Sequence, residues 1–556
     1  MTPNSKSRYL FTTPLIGVAI LLVTISAATG QTPTPSPTPD DPLPTQPVYA
    51  KPLKPMPSTE RVGVTTGDPL SLTLDQAIEM ALKNNNDIDT SRNDFRIAEF
   101  NLRGARGIYD PLLNSQTFYE SRTTPTASTI GGTTNDSVTQ RQVFNDVGLS
   151  GFVPRFGGSY DAIFTSARTD TTSRNATLNP QFPSSMVFSY IQPLWRNRSI
   201  DANRRSILIA AKNVSISDSQ LTQKAMDIVS NVERAYWDLV FALRNLQVQT
   251  DTLRQAREQA ESNQRQVERG VLAPIELVAA NAQISTFEQA VSFAQDAVTR
   301  SENVLKTLLL PERTEGAWDH PLMPVTPVNI DIPRIGLEVA TAEAFKNRPE
   351  IAQLETSAEI NRIDQAFYQN QTKPQIDLVS SFTTAGLAGT QNPTSPGTPP
   401  PSLVGGYFNS LGHLFSLDFP TYRAGVQISF PLRNTTAKAN LGRSLVEGSR
   451  LANTRAQTEQ VIEAQVRDTL QILRSAETRL ASATDARIAA EELYASEQRQ
   501  FRAGTVTFYF VLQRQTELSV ARGREIQAQT DLNKAVSDFN RATGRTLAAN
   551  NVTVSK

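Results

Sequence analysis

Little in this chain of 556 residues could carry out bond chemistry. It has two histidines, His320 in a Pro-rich connector and His413 in a long polar segment, and no cysteine. Neither a histidine-based metal site nor a serine–histidine triad is supported. The lack of cysteine excludes disulfides, thiol catalysis, thiolate metal sites and a lipid-modified N-terminal cysteine. No Gly-rich phosphate loop occurs, and the Asp and Glu residues fall among Arg and Gln on long helical stretches, the pattern of solvated faces. The 54 basic and 54 acidic residues cancel, so the chain has no electrostatic footprint for nucleic acid or an anionic surface. No catalytic residue, cofactor or metal is expected, and function must be read from the elements.

Those elements come twice. Ala81-Leu82-Lys83-Asn84 with Asp87-Ile88 recurs as Ala344-Phe345-Lys346-Asn347 with Glu350-Ile351, and Pro111 recurs as Pro374, each 263 positions later (374 − 111 = 263). Pro193-Leu194 and Arg205-Ser206-Ile207 return as Pro431-Leu432 and Arg443-Ser444-Leu445. Arg265-Gln266-Val267 before Gly270 returns as Arg499-Gln500-Phe501 before Gly504. A chain built twice from one helix–strand–helix unit is a scaffold of the kind that forms rings or tubes.

The pattern divides the chain as follows. Lys6 and Arg8 precede an apolar run from Leu15 to Ile25 and the small residues Ser26 to Gly30. The run is about 11 residues where a span needs roughly 20, so residues 1–30 read as a secretory signal peptide. Residues 31–69, rich in Pro and Thr, read as an extended disordered linker. The first repeat covers 70–336, with strands at about 112–122 and 186–195 and a helical hairpin at 199–310. The second covers 337–550, with strands at about 374–383 and 422–432 and a hairpin at 435–543, and 551–556 is a tail.

From Ser199 to Arg269 there is no Gly and no Pro, and apolar positions step by seven: Ile207, Val214, Leu221, Ile228 and Ala235 in one series, Val232, Leu239, Leu246, Leu253 and Ala260 in another. This predicts a coiled-coil helix of about 100 Å at about 1.5 Å per residue. Val229, Tyr236 and Leu243 form a second stripe, so neighbours can pack on two sides. Gly270 ends the helix and Pro274 opens the next, as a tight antiparallel reversal requires. Gly504 does the same in the second half.

The strand segments have a period of two. Tyr422, Ala424, Val426 and Ile428 alternate with Arg423, Gly425, Gln427 and Ser429. Strands of about 10 residues with one apolar face suit a transmembrane barrel. Four strands per chain cannot close one, and lipid tolerates no open edge, so copies must pool strands. Two copies would give eight; three would give twelve and a wet bore, which fits the polar strand face better. The linking segments 123–186 and 385–421 read as outward loops. The first holds an extra hairpin at 147–166 that either extends above the membrane or joins the barrel.

Taken together these features resemble the TolC-like outer-membrane efflux proteins over nearly everything after residue 70. The resemblance rests on Leu72-Thr73-Leu74 with Ala77 and Ala81-Leu82, on Asn347-Arg348-Pro349-Glu350-Ile351, and on Gln192-Pro193-Leu194 before the long helix. Gly270 and Gly504, followed by Val278 to Gln283 and Val511 to Leu518, complete it. It implies an α+β membrane protein: a homotrimer whose twelve-stranded barrel in the outer membrane is continuous with a coiled-coil, twelve-helix barrel in the periplasm of a Gram-negative-type bacterium. As the resemblance implies it, the protein is the exit duct of a tripartite efflux or type I secretion system, fed by a periplasmic membrane-fusion adaptor and an inner-membrane pump of RND or ABC type. It catalyses nothing.

The family's adaptor-contacting tips map onto Gly270, Val271 and Leu272 and onto Gly504, Thr505 and Val506. The aspartates that ring the pore in the family's best-known member stand six and nine positions after the second glycine. This chain has Phe510 and Gln513 there, which replaces an acidic constriction with an apolar ring at Phe510. Glu276, six positions after Gly270, is either a gate-locking acid with Arg502 or Arg514 as partner, or a solvated surface charge. The reading from a different class is a trimeric coiled-coil surface adhesin or structural protein, with helices as stalk and strands as head.

Overall fold

The computed structural model describes residues 55–554, apart from 57, 59, 66–67, 128–135, 314–315 and 329–331. The expected signal peptide at 1–30 and most of the 31–69 linker lie outside the described residues. In chain order the elements are β1 (Leu70–Leu72), α1 (Leu74–Asn84), α2 (Asn86–Arg106), β2 (Leu112–Pro125), β3 (Ser137–Phe152), β4 (Ser159–Thr171), β5 (Leu178–Pro193), α3 (Ala202–Glu268) and α4 (Pro274–Leu309). The second half has β6 (Leu322–Pro324), α5 (Leu337–Asn347), α6 (Pro349–Gln371), β7 (Gln375–Gln391), α7 (Tyr407–Phe415), β8 (Phe419–Ser429), α8 (Thr435–Arg502), α9 (Phe508–Ala542) and α10 (Thr546–Ala549).

Each half is one long helix covered by two shorter ones placed end to end. Along α3 lie α2 and α4, which meet where Asn84 and Asn85 donate side-chain hydrogen bonds to the last carbonyls of α4, on Leu309 at 3.3 Å and Leu308 at 3.1 Å. Along α8 lie α6 and α9, which meet where Gly544, in a left-handed turn at φ 74°, leaves room for Asn347. Because α3 also packs on α6 and α9, the wall is four helices wide at any level, in the order α2/α4, α3, α6/α9, α8. The second stripe of α3 does what its position predicts. Val229 and Tyr236 are fully buried, and the Tyr236 hydroxyl donates to Leu72 O at 3.0 Å and accepts from Thr326 N at 3.1 Å. That phenol pins α3 to the small parallel pair β1–β6, which with α1, α5 and α10 surrounds the junction of the stacked helices.

Local chemistry sets the helix ends. Thr73 and Gln76 form a reciprocal capping box at α1, satisfying two otherwise orphaned donors. Asp201 caps α3 by accepting from Arg204 N at 2.8 Å and from its guanidinium at 2.7 Å.

The sheet corrects the strand count. It has six strands per chain, not four, in the order β2-β3-β4-β5-β7-β8, with every neighbouring pair antiparallel. The extra hairpin β3–β4 is part of the wall. β3 pairs with β2 from Leu112↔Ser150 to Pro125↔Ser137, and β4 pairs with β5 from Ser159↔Ile191 to Thr169↔Gln181. Its turn reaches the helix-side end: Gln192 Nε2 donates to Phe156 O at 2.9 Å, and the Arg155 and Arg198 guanidiniums lie 5.0 and 5.7 Å from the centre of the Phe156 ring. The segment read as a loop at 123–186 is therefore largely strand, because its backbone groups find ladder partners on both sides. The strand read at 422–432 is shifted to β8, Phe419–Ser429, since Pro431 has no N–H to donate and Asn434 turns left-handed at φ 48° to start α8.

Candidate functional site

The two faces of the sheet differ in where their charge lies. One row of register partners crosses all six strands as Leu113, Leu149, Ala162, Phe188, Phe382 and Tyr422. The next row, on the opposite face, reads Leu112, Ser150, Asp161, Ser189, Ser381 and Arg423. Glu120, Arg122, Asp146, Asp161, Asp377 and Arg423 all share that polar face by register. The charges on the apolar face, Arg141, Arg168 and Asp170, sit at the end far from the helices, with Arg141 opposite Asp170. Stacked rings knit the apolar face: Phe188 and Phe382 lie 6.4 Å apart, Phe382 and Tyr422 5.1 Å. A face free of charge except at one rim meets the requirement for contact with hydrocarbon, and the other for contact with water.

The row through Leu112, the first residue of β2, ends at Arg423, six residues from the helix-side end of β8 (429 − 423 = 6). With strands spaced about 4.8 Å and rising about 3.3 Å per residue, that stagger tilts the strands by about 40°, within the range a barrel needs.

Both the sheet and the helical wall are open at the same two edges. Among the described residues β2 pairs only with β3 and β8 only with β7, and both strands are exposed along their whole length. The helices on the β2 side expose Ile97, Phe100, Phe293 and Val304; α8 exposes Val461, Ile472, Ile488 and Leu493. β2 leads away from the helices and β8 leads back to them, so one edge offers the antiparallel complement of the other.

At the far end of the helices the two tips are built alike. In each, a glycine at φ 76° ends the long helix. Val271 N donates to Gln266 O at 2.9 Å and Gly270 N to Val267 O at 2.9 Å; Thr505 N donates to Gln500 O at 3.1 Å and Gly504 N to Phe501 O at 3.0 Å. These are Schellman closures, which need a residue tolerant of left-handed backbone. A Cβ on either glycine would meet nothing within 4 Å, so the glycines serve the backbone and not the packing. Val271 and Ile275 are left exposed at the first tip and Tyr509 at the second.

The residues expected to line a constriction stand next to the tips, Glu276 in the first turn of α4 and Phe510 and Gln513 one turn apart on α9. Phe510 is partly exposed with its ring edge-on to Tyr509. Gln513 donates to Glu517 at 3.0 Å. Arg514 pairs with the same Glu517 at 2.6 Å, and its hydrogen bond holds that carboxyl below its ordinary value. Among the described residues Glu276 has no ion pair with Arg502 or Arg514, so the gate-locking pair does not form within one chain.

Sequence reasoning missed what actually joins the tips. Phe508 is buried among Leu253, Ala256, Ala280, Ile284 and Val511, so it ties α9 to α3 and α4. Gln283 donates to Thr516 at 3.2 Å and Gln515 to Thr252 O at 3.4 Å. Arg487 with Glu525 at 2.7 Å, and Arg522 with Glu491 at 2.9 Å, clamp α8 to α9. The signal was present as Phe508, Val511, Gln515 and Leu518 at helical spacing.

The sheet is thus two-faced, continued by a helical wall and open at both edges. Residues 77–309 match the outer membrane efflux protein family, whose members are channels and not enzymes. The fold is shared by solved channels over both halves. The outer-membrane channel OprN superposes with a TM-score of 0.61 at 16% identity, covering 85% of this chain and 89% of that one. The CmeC channel of Campylobacter jejuni gives 0.60 at 13% identity, covering 87% of each. The MtrE channel of Neisseria gonorrhoeae in its open state gives 0.58 at 16%, covering 85% and 89%. No curated protein sequence matches the chain.

Proposed function

We propose that three copies of this chain join edge to edge, β2 of one against β8 of the next, into a closed outer-membrane barrel prolonged by a helical tunnel. The assembly is the exit duct of a tripartite efflux or type I secretion system. The observation that carries this reading is the coincidence of edges: the open sheet edges and the exposed apolar helix edges lie on the same two sides. An open strand edge is intolerable in hydrocarbon, and the strand tilt of about 40° suits closure. Outer-membrane efflux channels are homotrimers that work with adaptor and pump partners, which supports three copies here. The wall would then hold eighteen strands and twelve helices at any level, with a barrel about half again as wide as one of twelve strands. The division of the chain into two repeats, 70–336 and 337–550, gives each copy two helical hairpins whose tips face the periplasm.

In this reading the tips at Gly270, Val271 and Leu272 and at Gly504, Thr505 and Val506 receive the adaptor, and the exposed Val271, Ile275 and Tyr509 supply apolar contact. Phe510 and Gln513 line the narrow end, with Glu276 as a solvated charge. The pump, of RND or ABC type, acts through the adaptor. An adhesin would have no use for a sheet with one face free of charge except at its far rim.

The test is the purified protein's mass in detergent and its conductance in a planar bilayer. A trimer with discrete conductance is expected. A variant in which a short turn replaces residues 126–177, joining β2 directly to β5, should conduct roughly half as well if barrel width limits the current. A monomer, or a trimer that never conducts, would overturn the proposal.

A further inference from the structure

The helix α7 lies on the sheet where no connecting segment needs to be. It is docked on β5 and β7 through three of its residues. Ser410, fully buried, lies with its hydroxyl 2.7 Å from that of Ser184. Thr384 Oγ1 donates to Leu414 O at 3.0 Å. Tyr407 meets Phe182 edge-on at 6.5 Å. Gly386 permits the approach, since a Cβ there would run into the carbonyl oxygen of Ser410. His413 fastens the last turn through Asp418 at 2.5 Å and Ser402 O at 2.8 Å.

Ser184, Thr384 and Gly386 share a face by register with Phe188, Phe382, Tyr422 and Val426. α7 therefore lies on the apolar face, outside the lumen. Thr384 is nine residues from the helix-side end of β7 (384 − 375 = 9). At about 3.3 Å per residue and about 40° of tilt this puts α7 roughly 23 Å above that end, close to the far margin of an apolar band about 25 Å tall.

With Tyr407, Ser410 and Leu414 facing the sheet, a second stripe about 100° round the helix, on the flank of the docked face, is Phe408, Leu411 and Phe415, at i, i+3 and i+7. Phe408 is 82% exposed and Phe415 71% exposed. Two phenylalanines held that far into the surroundings, on the flank of a helix already fastened to the sheet by hydrogen bonds, mark an apolar medium and not water. A second copy of the chain joins at the sheet edges and so lies beside this face, not over it. The remaining occupant is lipid, continuous with the apolar face the helix rests on.

We propose that α7 is an interfacial helix, lying in the boundary between headgroups and acyl chains of the outer leaflet, with Phe408, Leu411 and Phe415 among the chains. It fixes how deep the barrel sits and forms part of its outer aromatic girdle. This rests on the reading of the sheet as a lipid-facing wall.

The test uses the full-length trimer reconstituted in phosphatidylcholine vesicles with bromine either near the glycerol end or near the methyl end of the acyl chain. The background is Trp195→Phe, because Trp195 is exposed near the helix-side margin. Phe408→Trp reports on α7 and Ala424→Trp on the middle of β8. The expected result is quenching of the tryptophan at 408 by about two-fold, stronger with glycerol-end bromine, while that at 424 is quenched more by methyl-end bromine. If the probe at 424 is quenched and the one at 408 is not, the helix is covered by protein or water and the inference is wrong. If neither is quenched, the lipid-facing wall itself is wrong and the inference goes with it.

Discussion

Placing a lysine at Ala424 should stop assembly, while the same residue at Gly425 should not. Ala424 shares the apolar face of β8 with Tyr422 and Val426, and Gly425 shares the polar face with Arg423. Ala424 is five residues from the helix-side end of its strand (429 − 424 = 5). With a rise of about 3.3 Å and a tilt of about 40°, this puts it about 13 Å above that end, near the middle of the roughly 25 Å apolar band. A lysine facing lipid at mid-depth costs about 2–4 kcal/mol per copy, hence about 6–12 kcal/mol in a trimer. That is comparable to the whole stability of many folded proteins. At Gly425 a side chain meets nothing within 4 Å and points into water. The assay is refolding from urea into lipid vesicles, with assembled trimer read as the heat-sensitive band on an unboiled gel. Ala424→Lys should yield little trimer at a urea concentration where Gly425→Lys and wild type assemble fully. Equal yields for the two lysine variants would refute the face assignment.

Three further outcomes are expected. Gly270→Val and Gly504→Val each force a left-handed backbone on a β-branched residue, at about 1–3 kcal/mol per site. With space around both glycines, the trimer should survive while export activity in a channel-deletion strain is lost. Loss of the trimer would make those turns purely structural. Phe508→Ala should cost about 3–5 kcal/mol locally, seen as faster hydrogen exchange in the tip segments 253–291 and 508–518 with the sheet unchanged; uniform exchange would show that Phe508 does not hold the tips. Burial pushes the Glu233 carboxyl above its ordinary value, against hydrogen bonds from Ser537 and Asn550. A carboxyl raised in the fold favours the native state at acid pH and loses that advantage as pH climbs from the unfolded value of about 4.3 through the folded one. Glu233→Gln should therefore melt higher than wild type at neutral pH and equally at pH about 4; the reverse ordering would show that the hydrogen bonds outweigh desolvation.

The helical half of the fold was legible because its signals are local. The absence of Gly and Pro and the step of seven specify α3, and Gly270 and Gly504 announce their own turns. Even the second packing stripe at Val229 and Tyr236 could be read, since one helix carries it. The six-strand sheet could not be counted so readily. β3 contains Gly148 and Gly151, and both β3 and β4 mix polar with apolar residues on both faces, so they become strands through ladders to β2 and β5 set by distant parts of the chain. The small helix α7 hid for another reason: nine residues bounded by Gly406 and Leu417 read as loop, although Tyr407, Ser410, Leu414 and Phe408, Leu411, Phe415 already formed two helical stripes. At the tips, the resemblance drew notice to Phe510 and Gln513, while the spacing of Phe508, Val511 and Leu518 pointed to the residue that is buried.

The central claim is that copies close edge to edge, and the cysteine-free sequence allows it to be tested by disulfide formation. Asn114 and Gln427 lie on the polar face, each two residues from the helix-side end of its edge strand (114 − 112 = 2; 429 − 427 = 2). Within one copy they are five strand spacings apart, about 24 Å, too far to bridge. In the double variant Asn114→Cys, Gln427→Cys, mild oxidation of outer-membrane vesicles should yield covalent dimers and trimers and no larger ring on a non-reducing gel. A chain that stays monomeric there, and also when Gln427 is replaced as the partner by Gly425 or Ser429, would contradict the account.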